Sequence, residues 1–126
     1  MEVQGHLVWN AARVISDYIE ADPRHVRGKC VLELGAGAGL PSIVAALNGA
    51  QCTVITDYPD EDLVSTLRTN VAHNVPAALQ PRVFVCGYKW GCADEGGRGA
   101  AGIGHSTSEL LIHAECDPTL HVSNGD

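Results

Sequence analysis

The chain has 126 residues, of which 45% are hydrophobic, and a formal net charge of −7. This length allows one domain with a hydrophobic core, and the acidic balance argues against a surface that binds nucleic acid or an anionic membrane. No apolar run approaches the roughly 20 residues of a membrane span, and the first residues lack the features of a signal peptide. We therefore expect a cytosolic or nuclear protein without a membrane partner, and of the two we predict a cytoplasmic one.

The first predicted element is an amphipathic helix over residues 8–20, which Asp22 and Pro23 end. Its apolar residues recur at helical spacing, namely Leu7, Ala11, Val14, Ile15, Tyr18 and Ile19. Trp9 lies at the start of this helix and has two interpretations. Composition favours a packing role beside the apolar face, and the alternative is part of a lid over a bound cofactor.

A strand, a glycine loop and a helix come next. Residues 29–34, which include the apolar pair Val31-Leu32, predict a buried strand, and Leu40–Leu47 predict a helix with Pro41 in its first turn. Between them, glycine stands at every second position, at Gly35, Gly37 and Gly39. Glycines allow a tight turn and a close approach to a ligand, with amide groups that point outward. The arrangement predicts a site for a nucleotide-like cofactor.

The spacing of the glycines narrows the choice of cofactor. The dinucleotide fingerprint requires G-x-G-x-x-G, whereas Leu40 stands here where a later glycine would be needed, and no Lys-Ser/Thr pair of a P-loop follows. The segment from Glu33 to Gly39 has the pattern E-x-G-x-G-x-G, which is similar to the first motif of the class I methyltransferases that use S-adenosylmethionine. The alternative is a tight Gly/Ala-rich turn that binds nothing.

A second buried strand is predicted over residues 51–57 and ends on Asp57. This acid lies 22 residues beyond Gly35, the interval at which a carboxylate on the second strand meets a ribose. A carboxylate suits this task because it accepts hydrogen bonds from both ribose hydroxyls. The alternative role for Asp57 is to cap the next helix.

That next helix opens at Asp60-Glu61, and its apolar stripe predicts a core face made of Leu63, Val64, Leu67, Val71 and Val75. Asn70 and Asn74 are predicted as surface residues on the adjoining side. Residues 82–88 predict a third strand. Trp90 follows at its carboxyl end, where its ring would either stack on a purine or simply cover the strand.

The alternation of helices and strands predicts an α/β fold with a parallel sheet, right-handed crossovers and helices on both faces. Residues 91–104 contain six glycines and read as a flexible loop, and residues 109–114 are a possible fourth strand before a disordered tail. We therefore divide the chain into a principal part, 1–91, and a remainder, 92–126.

The five cysteines are odd in number and contain no C-x-x-C pair, which indicates neither a disulfide framework nor a zinc ribbon. A mixed set of cysteines and histidines in the last third of the chain could surround a metal, but its spacing matches no zinc pattern, so no metal is predicted. Its members are Cys86, Cys92, His105, His113 and Cys116.

Four signals in sequence order resemble the fungal branch of the seven-β-strand (class I) protein N-terminal and lysine methyltransferases. The likeness covers roughly residues 5–91. Its motifs are Gly5-His6-x-x-Trp9-Asn10-Ala11-Ala12, the Glu33–Gly39 loop, Thr56-Asp57-Tyr58-Pro59-Asp60 and Gly87-Tyr88-x-Trp90-Gly91.

The resemblance implies a Rossmann-like fold, S-adenosylmethionine as cofactor, and methylation of the N-terminal and a lysine amine of translation elongation factor 1-alpha by a monomer. It carries the cofactor contacts over to Trp9, Gly35, Ala36, Gly37, Asp57, Trp90 and Ala114. Gly35 to Gly37 would hold the methionyl part, Asp57 the ribose and Trp90 the adenine neighbourhood. No catalytic residue is assigned.

The family continues beyond its fourth strand with further strands and much of the substrate pocket, and this sequence departs from it there. We therefore expect a truncated chain with its C-terminal strands missing. The alternatives to protein methylation are a small-molecule methyltransferase that acts on a compound such as nicotinamide, since these proteins formerly carried that label, and an inactive fragment that at most binds cofactor.

Overall fold

A computed structural model of the chain describes residues 10–90. Within this range the helices are α1 (Asn10–Ala21), α2 (Leu40–Leu47) and α3 (Glu61–Asn74), and the strands are β1 (Cys30–Glu33), β2 (Cys52–Asp57) and β3 (Val83–Gly87). Short 3-10 turns at Pro23–His25 and Gln80–Arg82 precede β1 and β3. The predicted sites Trp9 and Ala114, the possible fourth strand and the remainder 92–126 lie outside the described residues.

The three strands form a parallel sheet in the order β1-β2-β3. Glu33 pairs with Ile55, which in turn pairs with Val85. The pairing of β2 with β3 continues to the last residue of each strand, where Asp57 lies beside Gly87. The predicted Rossmann-like parallel sheet is therefore confirmed, and the loops that follow its three strands all leave from the same edge.

The helices described here pack on one face of this sheet. Ile43 of α2 and Leu67 of α3 are fully buried in one cluster with Ile55 and Val85, two paired residues that point to the same side. Since the strands lie side by side in chain order, two right-handed crossovers place both helices on the same face. Helices on the opposite face stay a prediction.

The amphipathic face of α1 is narrower than predicted. Ile19 is buried against β1 and α2, and Ile15 packs partly beside it. Val14 and Tyr18, assigned to the same apolar row, are instead 67% and 55% exposed. Positions 14 and 18 form a separate i, i+4 row, rotated by one residue from the row of 15 and 19, and only the second row faces the sheet. The Tyr18 ring instead stacks on His25, with centroids 4.3 Å apart.

No helix within residues 10–90 is both long enough and apolar enough to span a bilayer.

Candidate cofactor-binding site

The loop between β1 and α2 adopts a backbone that requires its glycines. Gly35, Gly37 and Gly39 have φ values of +67°, +56° and +80°, all in the left-handed region that L side chains rarely adopt. A Cβ atom on Gly39 would also lie 3.0 Å from Cδ2 of Leu67. A Cβ atom on Gly37 would meet no atom of the described residues within 4 Å. The middle of the loop therefore opens onto space large enough for a ligand to approach the backbone.

The start of this loop is tied to the neighbouring strand by Thr56, which is fully buried. Its hydroxyl donates to the carbonyl oxygen of Glu33 at 2.7 Å, and its own carbonyl accepts from the amide of Ala36 at 2.9 Å. Ala36 itself is buried in the core cluster, so only its backbone can face a ligand. Thr56 belongs to the motif Thr56-Asp57-Tyr58-Pro59-Asp60, but the sequence did not predict that it holds the glycine loop to β2.

Asp57, half-buried at the end of β2, faces the middle of the glycine loop. Its Oδ2 accepts the amide of Gly37 at 2.7 Å, and its Oδ1 accepts the amide of Tyr58 at 2.6 Å. The Gly37 amide, which the sequence interpretation expected to point outward, is therefore directed at a carboxylate of the protein. Each carboxylate oxygen has room for a second donor, so Asp57 can still accept hydroxyl groups of a ligand.

The alternative role for Asp57, as cap of the following helix, is wrong. Asp60 caps α3 instead, since its Oδ1 accepts the amides of Asp62 at 3.0 Å and Leu63 at 3.1 Å. Helix N-termini need such an acceptor because their first amides have no partner in the helix. Because Asp60 caps the helix, the Asp57 carboxylate can accept hydrogen bonds from the glycine loop and from a ligand bound beside that loop.

Glu33, the acid of the E-x-G-x-G-x-G pattern, caps α2 from the end of β1. Its Oε2 accepts the amide of Ser42 at 3.1 Å and also the Ser42 hydroxyl. The cap position of this helix is Gly39, which has no side chain to offer, so the strand supplies the acceptor. The pKa of Glu33 is raised to about 7, mainly because the carboxyl group is buried; the hydrogen bonds from Ser42 lower it in part, and the charge of Asp57 adds a smaller rise.

Asn70, predicted as a surface residue, is 1% exposed, and that prediction is wrong. Its side-chain amide donates to the carbonyl oxygen of Ala38 in the glycine loop at 3.0 Å. Asn70 lies on the same turn of the helix as the buried residues Leu67 and Val71. The prediction failed because a pattern of polar and apolar residues places an amide side chain in solvent, and it does not reveal a buried hydrogen-bond partner. That partner is a carbonyl 32 residues earlier in the chain.

Trp90 lies over the start of the loop. A Cβ atom on Gly35 would be 3.4 Å from Cζ2 of the indole, so the ring and the glycine are in van der Waals range. The side chain is still 67% exposed, which leaves most of its aromatic surface open. The structure therefore brings five of the seven predicted contacts to one edge of the sheet, namely Gly35, Ala36, Gly37, Asp57 and Trp90.

The chemistry of this edge suits an adenosine-like molecule. It offers glycine backbone that no side chain covers at Gly37, a carboxylate with spare acceptor capacity and an exposed aromatic ring. Among residues 10–90, no group of three or more His, Cys, Asp and Glu side chains converges as metal ligands would. The described groups bind and orient, and we assign to none of them the role of a general acid, base or nucleophile.

Comparison with curated proteins finds several fungal relatives. The protein N-terminal and lysine N-methyltransferase efm7 of Emericella nidulans is 50% identical over 91 residues, which cover 69% of this chain and 35% of the relative. The protein of the same name in Aspergillus fumigatus is 45% identical over 115 residues, or 88% of this chain and 44% of the relative. In Schizosaccharomyces pombe the identity is 48% over 86 residues, 68% of this chain and 33% of the relative.

The chain therefore spans about a third to somewhat under half of the length of these relatives. A sequence profile for the family described as lysine methyltransferase matches residues 2–116, which is most of the chain. The match includes every residue of the site described above. This chain belongs to the lysine methyltransferase family.

Proposed function

We propose that this chain binds S-adenosylmethionine at the edge formed by the glycine loop, Asp57 and Trp90. The single observation that carries the proposal is the approach of three separate strand ends to one open space: Gly37 after β1, Asp57 at the end of β2 and Trp90 after β3. Membership of a methyltransferase family supports a methyl-donor cofactor. The donor and acceptor groups present fit the adenosyl part of this one.

Each residue would have a defined task. The glycine loop would let the methionyl part approach the backbone closely, Asp57 would accept hydrogen bonds from the ribose hydroxyls, and Trp90 would flank the adenine. The cofactor supplies an already activated methyl group when it is bound. Because transfer of such a group needs little acid–base assistance, positioning would supply most of the rate acceleration.

We further propose that the protein transfers this methyl group to amines of a protein substrate, with the N-terminus and a lysine of elongation factor 1-alpha as targets. The names of the relatives support an N-terminal and lysine target, and the elongation factor rests on the resemblance of the sequence motifs alone. A free lysine has a pKa of about 10.4, so an attacking lysine must be desolvated in a pocket that lowers this pKa.

Calorimetric titration with S-adenosylhomocysteine, the demethylated product, tests the cofactor. We expect the chain to bind it, and Asp57→Asn to bind about 10- to 150-fold more weakly, because hydrogen bonds to a charged group contribute about 1.5–3 kcal/mol. Asp62→Asn is the matched control, since it removes an exposed acid five positions away on α3. No heat with the wild-type chain, or equal affinity in Asp57→Asn, would contradict the proposal.

Transfer of a labelled methyl group tests the substrate. Elongation factor 1-alpha and nicotinamide are offered in parallel to this chain and to a full-length fungal relative. Label on the protein amines alone is the expected result for the relative. Label on nicotinamide would favour the small-molecule alternative. Binding of the cofactor product without transfer to either acceptor would mark this chain as a binding fragment.

A further inference from the structure

A buried amide lies in the middle of α3, where an apolar residue would ordinarily pack. Asn70 is 1% exposed and lies beside Leu67 and Val71, which are both in the core. Burial of an amide is unfavourable unless its polar atoms find partners. The Nδ2 group of Asn70 donates to the carbonyl oxygen of Ala38 at 3.0 Å. The residue therefore links the third helix to the glycine loop.

The bond acts on one particular peptide unit of the loop, the one that joins Ala38 to Gly39. Asn70 holds its carbonyl, while its amide, that of Gly39, donates to the carbonyl oxygen of Ala36 at 2.8 Å. The same Gly39 has a φ of +80° and opens α2. With both ends of this peptide unit bonded, it cannot flip without the loss of two hydrogen bonds inside the protein.

We propose that Asn70 is a positioning residue for the cofactor. It locks the Ala38–Gly39 peptide, so that the loop keeps the shape that presents its open side at Gly37. The ligand part of this inference rests on the proposed function, while the hold on the loop does not. Asn70 has no role in the motifs by which the loop is identified, since it lies 31 residues beyond the last glycine of the pattern.

The first test compares Asn70→Asp with Val71→Ala. The aspartate has nearly the same shape but replaces the donor with an oxygen that faces the Ala38 carbonyl. The alanine weakens the same helix and core without touching the bond. We expect Asn70→Asp to bind S-adenosylhomocysteine at least tenfold more weakly than wild type, at a temperature where circular dichroism shows both variants folded. Val71→Ala should stay within about twofold. Equal losses in the two variants would overturn the proposal.

The second test needs no ligand. We expect amide hydrogen exchange at Gly39 to be at least tenfold faster in Asn70→Ala than in Val71→Ala, because only the first variant frees the peptide unit. Asn70→Ala also replaces Asn70→Asp if the aspartate does not fold. Unchanged exchange at Gly39 would overturn the hold on the loop. If wild-type chain fails to bind S-adenosylhomocysteine, the proposed function falls, and exchange at Gly39 alone decides whether Asn70 holds the loop.

Discussion

At the scale of single residues, Glu33 combines two opposing demands. Its carboxylate accepts two hydrogen bonds from Ser42 at the start of α2, which favours the ionised form. Burial favours the neutral form more strongly, and the pKa rises from 4.5 to about 7. The unfolded chain has no such burial. Between these two pH values, the folded protein therefore holds a proton that the unfolded chain releases.

This difference predicts a pH-dependent stability. Below pH 4.5 Glu33 is protonated in both states and has no effect, and as the pH rises to about 7 the free energy of unfolding falls by up to about 3 kcal/mol. Glu33→Gln keeps an acceptor for the Ser42 amide but cannot ionise. In urea unfolding, the free energy of unfolding of the variant relative to wild type should be higher at pH 8 than at pH 5.

Glu20→Gln, made at an exposed glutamate of α1, controls for the loss of one negative charge. It should follow the wild-type profile between the same two pH values. A stability difference between Glu33→Gln and wild type that is the same at pH 5 and pH 8 would refute the assignment.

Trp90 allows a second test at this scale. If its exposed ring flanks the adenine, Trp90→Ala should weaken the binding of S-adenosylhomocysteine by about 5- to 150-fold, since stacking of a base on an aromatic side chain contributes about 1–3 kcal/mol. Trp90→Phe should retain most of the affinity. Tyr18→Ala, which removes an exposed ring from α1, is the control in the same titration. Wild-type affinity in Trp90→Ala would contradict the proposal that Trp90 contacts the cofactor.

At the scale of elements, the turn from β1 into α2 depends on Gly39 for two separate reasons. Its φ of +80° disfavours any other residue, and a Cβ atom there would lie 3.0 Å from Leu67 of α3. Gly28 has a similar φ of +70°, but a Cβ atom there would meet no described atom within 4 Å. A side chain at position 28 would therefore cause backbone strain alone, whereas one at position 39 would cause both backbone strain and a close contact with Leu67.

We expect Gly39→Ala to lower the free energy of unfolding by more than Gly28→Ala. The strain at a left-handed position costs about 1–3 kcal/mol in both variants, and the contact with Leu67 adds to it only at position 39. Urea midpoints measured side by side give the difference. Equal midpoints would mean that the Leu67 side chain moves aside without cost.

Most elements could be predicted from the sequence because they obey local rules. The bounds of α2 follow from Pro41 and from the stop at Asn48-Gly49, where Gly49 has a φ of +94°. The alternation of strands and helices was sufficient for the parallel sheet. Val14 and Tyr18 were misassigned because periodicity alone does not say how wide the buried stripe of a surface helix is.

The site was predictable in part for a similar reason. The glycine spacing and the strand-end positions of Asp57 and Trp90 lie within short stretches of sequence. The hydrogen bonds from Asn70 to Ala38 and from Thr56 to Glu33 join residues that are 32 and 23 positions apart. No local sequence feature of either residue indicates its partner. Such contacts become visible only when the sheet order is known.

At the scale of the whole molecule, ligand binding should stabilise the fold, because the proposed contacts come together only in the folded chain and the ligand therefore binds the folded state alone. S-adenosylhomocysteine at 100 times its dissociation constant would add about 2.7 kcal/mol to the free energy of unfolding. In a domain of this size that is a rise in melting temperature of about 10 °C or more. Thermal melts with increasing ligand measure it, and NADH at equal concentrations should produce no rise. A rise with NADH alone would favour a dinucleotide-dependent oxidoreductase.

The bond between Gly37 and Asp57 has a kinetic consequence. Since a hydrogen bond of 2.7 Å within the protein already holds the carboxylate against the loop, we expect a ligand to bind without a slow rearrangement of either. Stopped-flow traces of association should then be single exponentials whose observed rate constants increase linearly with ligand concentration, without a plateau.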